Sequence, residues 1–206
     1  MSMPSYWKRA SSRLAKDDPV MAGFVKRYAK TSLVSRGDPF STLARSIVGQ
    51  QISVKAADAI WSRFAALFPV LVPENLLGER EERLRECGLS ARKVEYLRDL
   101  SRRFADGDVC PERWPEASDE EIIAELTAVR GIGVWTVEMF LIFNLMRPDV
   151  FPVDDIGLQR AIALHYFEGE RSSRKELVAF GDRWRPWRTV ATWYLWRSLD
   201  PIPVEY

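Results

Sequence analysis

The chain is poor in cysteine, holds a single histidine and contains no long apolar run, and each scarcity excludes something. Two cysteines, Cys87 and Cys110, in 206 residues build no disulfide framework, and their ordinary surroundings fit a reducing cytosol. One histidine, His165, leaves no His/Cys spacing for a metal site. No apolar stretch approaches the roughly 20 residues of a membrane span. The N-terminal M-S-M-P-S-Y-W-K-R lacks the apolar segment of a secretion signal. The expectation is a soluble, cytoplasmic protein with no membrane partner. Net charge is also scarce: 30 Lys and Arg stand against 29 Asp and Glu, leaving +1. Any basic footprint for nucleic acid is therefore local. Arg171, Arg174, Lys175, Arg183, Arg185, Arg188 and Arg197 crowd the C-terminal end, either as such a footprint or as a solvated helix face.

What is present is helix. No alternating strand pattern of useful length occurs, and apolar positions recur at helical spacing. Ser53 is placed to cap a helix carrying Ala56, Ala57, Ile60, Phe64 and Leu67, which Pro69 stops. The stretch 84–104 divides at Gly88-Leu89-Ser90, with Ser90 capping the second piece. Ser118-x-x-Glu121 is a capping box opening a helix through Ile122, Leu126 and Val129. Further helices are predicted over 134–146, ended by Pro148, over 156–167, and from about 186 to 198, the last rich in aromatics. The fold class is all-α, and 47% hydrophobic content suffices for one sizeable core or two small lobes.

Two segments carry chemistry: L-T-A-V-R-G-I-G-V-W-T at 126–136 and F-P-V-D-D at 151–155. Gly131-Ile132-Gly133 is either a plain corner between helices, where glycine supplies a positive φ, or an anion cradle. In the cradle, the first N–H groups of the helix starting at Val134 have no intrahelical partner, and the glycines leave room for a phosphate. Arg130, Gly131, Ile132 and Gly133 are then DNA contacts, which position a duplex without reading its sequence. The backbone carbonyls of Thr127, Val129 and Ile132 are candidate holders of a structural monovalent cation, Na or K. No other cofactor is expected.

Three further segments accompany these: F-S-T-L-A-R-S-I-V-G-Q-Q-I-S-V-K-A-A at 40–57, G-L-S-A-R-K-V-E-Y-L at 88–97 and R-W-R-P-W-R-T-V-A at 183–191. Together, in order and over most of the chain, they resemble the helix-hairpin-helix DNA glycosylase superfamily. The nearest resemblance is to its alkylated-base branch, the DNA-3-methyladenine glycosylase II-like enzymes. That resemblance implies a two-lobed all-α fold with the active-site cleft between lobes. One lobe would hold residues 39–154, including the hairpin; the other would combine 1–38 with 155–206. Larger relatives add an N-terminal mixed α/β domain, for which this chain is too short.

The resemblance also implies an essential aspartate. Asp155, 20 positions after Trp135 and five before Arg160, matches best, with Asp154 as a helix cap. Plain N-capping is the alternative for both. A carboxylate beside the sugar stabilises the oxocarbenium-like charge that develops as an N-glycosidic bond breaks, and orients water. A purine alkylated at N3 or N7 is already cationic and leaves without a general acid. Trp135 stands where strand-cleaving members carry a Schiff-base lysine, so a monofunctional enzyme is implied. Trp135 and Trp196 match base-pocket positions, where an electron-rich ring attracts a cationic base. Trp193 and Tyr194 lie within a turn of Trp196, and Met139 and Ile156 stand where aromatics can occur. Trp61, Trp114 and Trp184 are read as core.

The target base must leave the stack, and the gap must be filled. Gln51 matches the wedge position, with Ile52 as the alternative; otherwise Gln50 and Gln51 only bond the interhelix loop. The expected activity is excision of 3-methyladenine, with 7-methylguanine and 1-methyladenine as further substrates, from double-stranded DNA by a monomer in base excision repair. Competing readings are excision of a neutral damaged or mismatched base, and a non-catalytic DNA-binding module.

Overall fold

The computed structural model describes residues 3–35 and 37–199. Among them every regular element is helical: α1 Trp7–Asp17, α2 Pro19–Arg27, α3 Pro39–Gly49, α4 Val54–Ala65, α5 Pro73–Gly78, α6 Glu81–Glu86, α7 Ala91–Ala105, α8 Asp119–Thr127, α9 Val134–Phe143, α10 Ile156–Tyr166, α11 Arg174–Gly181 and α12 Arg188–Leu199. Short 3-10 turns occupy Pro111–Arg113 and Asp182–Trp184. Among the described residues no helix is long and apolar enough to cross a membrane. Both cysteines are free.

The described residues divide into two compact units: 3–35 with 141–199, and 37–140. The sequence placed the return to the first unit at 155; by packing the chain rejoins it at Leu141, inside α9. Residues 147–150 belong to the first unit because α12 holds them. Thr189 Oγ1 donates to the Arg147 carbonyl at 2.6 Å and accepts the Val150 N–H at 2.9 Å, while Arg188 grips the Asp149 carboxylate. Residues 1, 2, 36 and 200–206 of the predicted second lobe lie outside the described residues.

In the unit Gly37–Phe140, α3 shows how pattern becomes packing. Asp38 caps it by accepting the Ser41 N–H at 2.7 Å, and Pro39 opens it. Phe40, Leu43, Ala44, Ile47 and Val48 fall at i, i+3, i+4, i+7 and i+8, and all are buried. This face packs against α4 and α7, where Phe64, Leu97 and Leu100 are fully buried. Each such side chain contributes about 1.5–3 kcal/mol. Ser53 and Ser90 cap α4 and α7, and Ser118 forms its box with Glu121, as the sequence predicts.

The other unit is organised around a buried carboxylate. Asp18 caps α2, its Oδ1 accepting from the Val20 and Met21 N–H groups at 2.9 and 3.2 Å. Its Oδ2 accepts the Tyr166 hydroxyl at 2.8 Å and Trp184 Nε1–H at 3.2 Å. Four donors replace the water the charge has lost. Burial and the neighbouring Asp18 push the Tyr166 hydroxyl above its ordinary range. Several helix ends differ from expectation: α4 stops at Ala65, short of Leu67, and α8 at Thr127, short of Val129. α9 ends at Phe143 rather than 146, because Met146 turns left-handed at φ +57° and the Arg147 N–H folds back to the Leu141 carbonyl. α12 starts at Arg188 rather than 186, since the preceding residues form the 3-10 turn and the Trp187 N–H bonds to the Trp184 carbonyl.

Candidate active site and hairpin

Asp155 sits immediately before α10 in extended conformation, φ −72° and ψ 121°. Its own N–H bonds to the Pro152 carbonyl at 2.9 Å, which bends the F-P-V-D-D segment back on itself. The Oδ1 atom accepts two directed donors: the Leu158 N–H at 2.7 Å and the Trp196 indole Nε1–H at 2.8 Å. The first is an N-cap bond at the positive end of a helix, a setting that favours a carboxylate. The cap expected at Asp154 is thus made by Asp155. Asp154 lies one residue too early to reach the first turn; it pairs with Arg174 at 3.0 Å, both side chains about two-thirds exposed. Such a surface pair contributes little.

The space beside the carboxylate is tight. A Cβ on Gly157 would lie 3.1 Å from Asp155 Oδ1 and 3.4 Å from Trp196 Cδ1. Trp196 is half-buried and stacks on Phe143, with centroids 5.8 Å apart and planes at 14°. Trp193, also expected at the pocket, is instead enclosed in the core at 8% exposure. Trp7 and Tyr194 meet its ring edge-on at 5.1 and 5.2 Å, and the Arg197 guanidinium lies 5.5 Å from its centroid. Tyr194 is equally enclosed and shares a hydrogen bond with Ser11. Ile156, next to the carboxylate, is 80% exposed.

In the other unit the hairpin joins α8 to α9. Gly131 takes φ +82°, and a Cβ there would lie 2.2 Å from the Tyr96 ring, so conformation and space both demand glycine. Gly133 has nothing within 4 Å of where a Cβ would lie. Ile132 between them is buried and anchors the turn. Arg130 is exposed; its N–H bonds to Asp99 Oδ2 at 2.9 Å and its guanidinium pairs with Glu95. Val134 and Trp135 open α9 with exposed side chains, whereas Met139 is buried. Of the carbonyls suggested for a cation, that of Val129 accepts the Ile132 N–H at 3.1 Å, which leaves one of its two lone pairs. The Thr127 hydroxyl turns back to the Ile123 carbonyl.

The turn after α3 carries Gln51 at φ +60° and Ile52, both exposed. Gln50 Nε2–H donates to the Gly131 carbonyl at 2.7 Å, tying this turn to the hairpin. Lys93 Nζ donates to the Val48 and Gln50 carbonyls at 2.7 and 2.9 Å. Lys93, Tyr96, Phe143 and Gly157 were not singled out by sequence. Lys93 and Tyr96 lie in the 88–97 motif, three apart on one helix face, and that spacing was the available signal. The C-terminal basic cluster is extensively paired: Arg174 with Asp154, Arg185 with Asp149 and Asp182, and Arg188 with Asp149. Arg183 covers the Phe180 ring at 3.9 Å and Arg197 is buried. Arg188 and Arg197 thus brace the interior, while Arg174 and Arg185 form surface pairs.

A family model described as "HhH-GPD superfamily base excision DNA repair protein" matches residues 44–186. DNA-3-methyladenine glycosylase 1 of Schizosaccharomyces pombe is 34% identical over 180 residues, 84% of this chain and 78% of that protein. A solved structure of the Schizosaccharomyces pombe 3-methyladenine DNA glycosylase in complex with abasic DNA superposes with a TM-score of 0.79 at 31% identity, covering 95% of this chain and 100% of that one. The Bacillus halodurans DNA-3-methyladenine glycosidase superposes with a TM-score of 0.88 at 36% identity, covering 97% and 93%. The chain spans 66% and 65% of two longer Bacillus subtilis relatives.

Proposed function

The chain belongs to the HhH-GPD superfamily of base excision DNA repair proteins, and on that footing we propose that it hydrolyses the N-glycosidic bond of alkylated purines in double-stranded DNA. The observation that carries this reading is the Asp155 carboxylate, fixed at Oδ1 by the Leu158 N–H and Trp196 Nε1–H. Two donors on one oxygen hold the carboxylate plane, so its charge is oriented before substrate arrives. As the bond to a cationic base lengthens, positive charge gathers on the sugar, and the prepositioned carboxylate stabilises it. The same group orients or deprotonates the attacking water. The base departs with its electron pair and no acid is needed. The names of the relatives support 3-methyladenine as the first substrate, and the same cationic-base chemistry extends the proposal to 7-methylguanine and 1-methyladenine.

Trp135, 41% exposed at the start of α9, offers an electron-rich face that favours a cationic over a neutral base. It supplies no amine, so the reaction stops at the abasic site. The hairpin 130–133 holds the DNA backbone, and Gln51 fills the gap left by the extruded base, with Ile52 beside it. A sodium or potassium ion on the carbonyls of Thr127, Val129 and Ile132 would add positive charge for a phosphate at the hairpin. The protein works as a monomer in the cytoplasm, on chromosomal DNA.

Asp155→Asn tests the central claim. It keeps an acceptor for Leu158 and Trp196 but loses the charge, so base release from methylated DNA stops while DNA binding persists. Surviving activity would remove Asp155 from the chemistry. Borohydride treatment during turnover yields no covalent complex with DNA; a trapped complex would contradict the monofunctional reading.

A further inference from the structure

One helix, α7, touches both the turn after α3 and the glycine hairpin. Near its start, Lys93 is secured by its own N–H bonding to Ser90 Oγ, and its ammonium reaches back to two carbonyls more than 40 residues earlier in the chain. Those oxygens, on Val48 and Gln50, lie at the end of α3, where carbonyls run out of helical partners. Burial pushes the Lys93 amine below its ordinary range, and the two carbonyls accept its N–H groups in place of water. One residue further on, Gln51 turns left-handed at φ +60°, a conformation a non-glycine side chain keeps only where its surroundings impose it. One turn along α7, the Tyr96 ring lies under Gly131, while Glu95 and Asp99 take the Arg130 guanidinium and N–H. Gln50 Nε2–H closes the triangle on the Gly131 carbonyl.

We propose that Lys93 is a positioning residue for base extrusion: by clamping the Val48 and Gln50 carbonyls it projects Gln51 at a fixed spacing from the hairpin. The backbone grip and the stack-filling side chain then act in register on one duplex. Lys93 touches neither base nor sugar; it acts through Gln51. The inference rests on the glycosylase reading above. A lysine that merely stabilises the end of α3 would affect all substrates alike, whereas a wedge-positioning lysine matters where a base must be pushed out of a stack.

The test is Lys93→Met, which keeps the aliphatic stem and removes the ammonium. Release of a single 7-methylguanine is compared in two substrates, one fully paired and one with the base already unpaired in a bubble. The full-length protein is used, and its melting temperature is recorded alongside. The expected result is a loss in kcat/KM of about tenfold or more on the paired substrate, and less than about threefold in the bubble. Gln50→Leu, which cuts the tie to Gly131, shows the same selective loss and decides the matter if Lys93→Met does not fold. Equal losses on both substrates, or no loss on either, overturn the proposal while leaving the glycosylase reading intact. A wild-type protein that releases base from neither substrate overturns that reading, and the role of Lys93 with it.

Discussion

Trp196→Phe separates two roles that one side chain can play beside Asp155. The substitution keeps an aromatic ring to stack on Phe143 at 5.8 Å and deletes the Nε1–H that donates to Asp155 Oδ1 at 2.8 Å. A hydrogen bond to a charged group contributes about 1.5–3 kcal/mol net. Trp196 is half-buried, so water replaces part of what is lost and the lower end applies. About 1.4 kcal/mol corresponds to tenfold in rate, so kcat falls about tenfold. The Leu158 N–H remains on the same oxygen, which is why the fall stops well short of that expected for Asp155→Asn. KM and the ranking among alkylated bases stay as they are, because an aromatic face is kept at this position. The assay is single-turnover release of 7-methylguanine under saturating enzyme, with substrate binding measured separately. Trp196→Ala loses the ring as well, and adds a stability loss of a few kcal/mol to the same kinetic defect. Wild-type kcat in Trp196→Phe would refute the positioning role, and a change confined to KM would leave Trp196 with a base-pocket role alone.

Other outcomes follow from the same geometry. Gly131→Ala forces a methyl within 2.2 Å of the Tyr96 ring at a left-handed φ, so urea unfolding reports a loss of about 3 kcal/mol; wild-type stability would mean that the hairpin relaxes freely. Gly157→Ala places a Cβ 3.1 Å from Asp155 Oδ1, and a severalfold fall in kcat with unchanged DNA binding is expected. Unaltered kcat would show that the carboxylate's position is not critical. Burial lowers the pKa of His165 from its ordinary 6.5, and as the chain's one histidine it gives a single set of ring resonances by NMR. The unfolded chain binds this proton more readily, so its contribution leaves stability intact above pH 6.5 and erodes it as pH falls toward the folded-state pKa. A folded-state midpoint at or above 6.5 would contradict the burial seen here.

Much of the fold was legible because helices announce themselves locally. Ser53, Ser90 and Ser118 cap helices whose first turns follow directly, and the apolar positions of the helix after Ser53 recur at helical spacing. Helix ends were less legible. α9 stops early because a left-handed Met146 and the hydrogen bond from Arg147 to Leu141 end it, and methionine is not a residue that signals such a turn. Among the tryptophans, composition could not separate Trp193 from Trp196. They are three apart on α12, yet one is sealed against Trp7 and the other meets a carboxylate.

By itself the sequence determined that the protein is helical, that residues 126–136 make a glycine hairpin, and that an aspartate follows it at the head of a helix. Those properties depend on residues within a turn or two of one another. Only the tertiary structure decided that Asp155 both caps α10 and takes the Trp196 indole, a partner 41 positions away. It alone gave Asp154 to Arg174, sealed Trp193 in the core, and brought Lys93 to the carbonyls that end α3. A side chain's role depends on what the fold delivers within about 3 Å of its polar atoms, and such contacts leave no periodic trace along the chain.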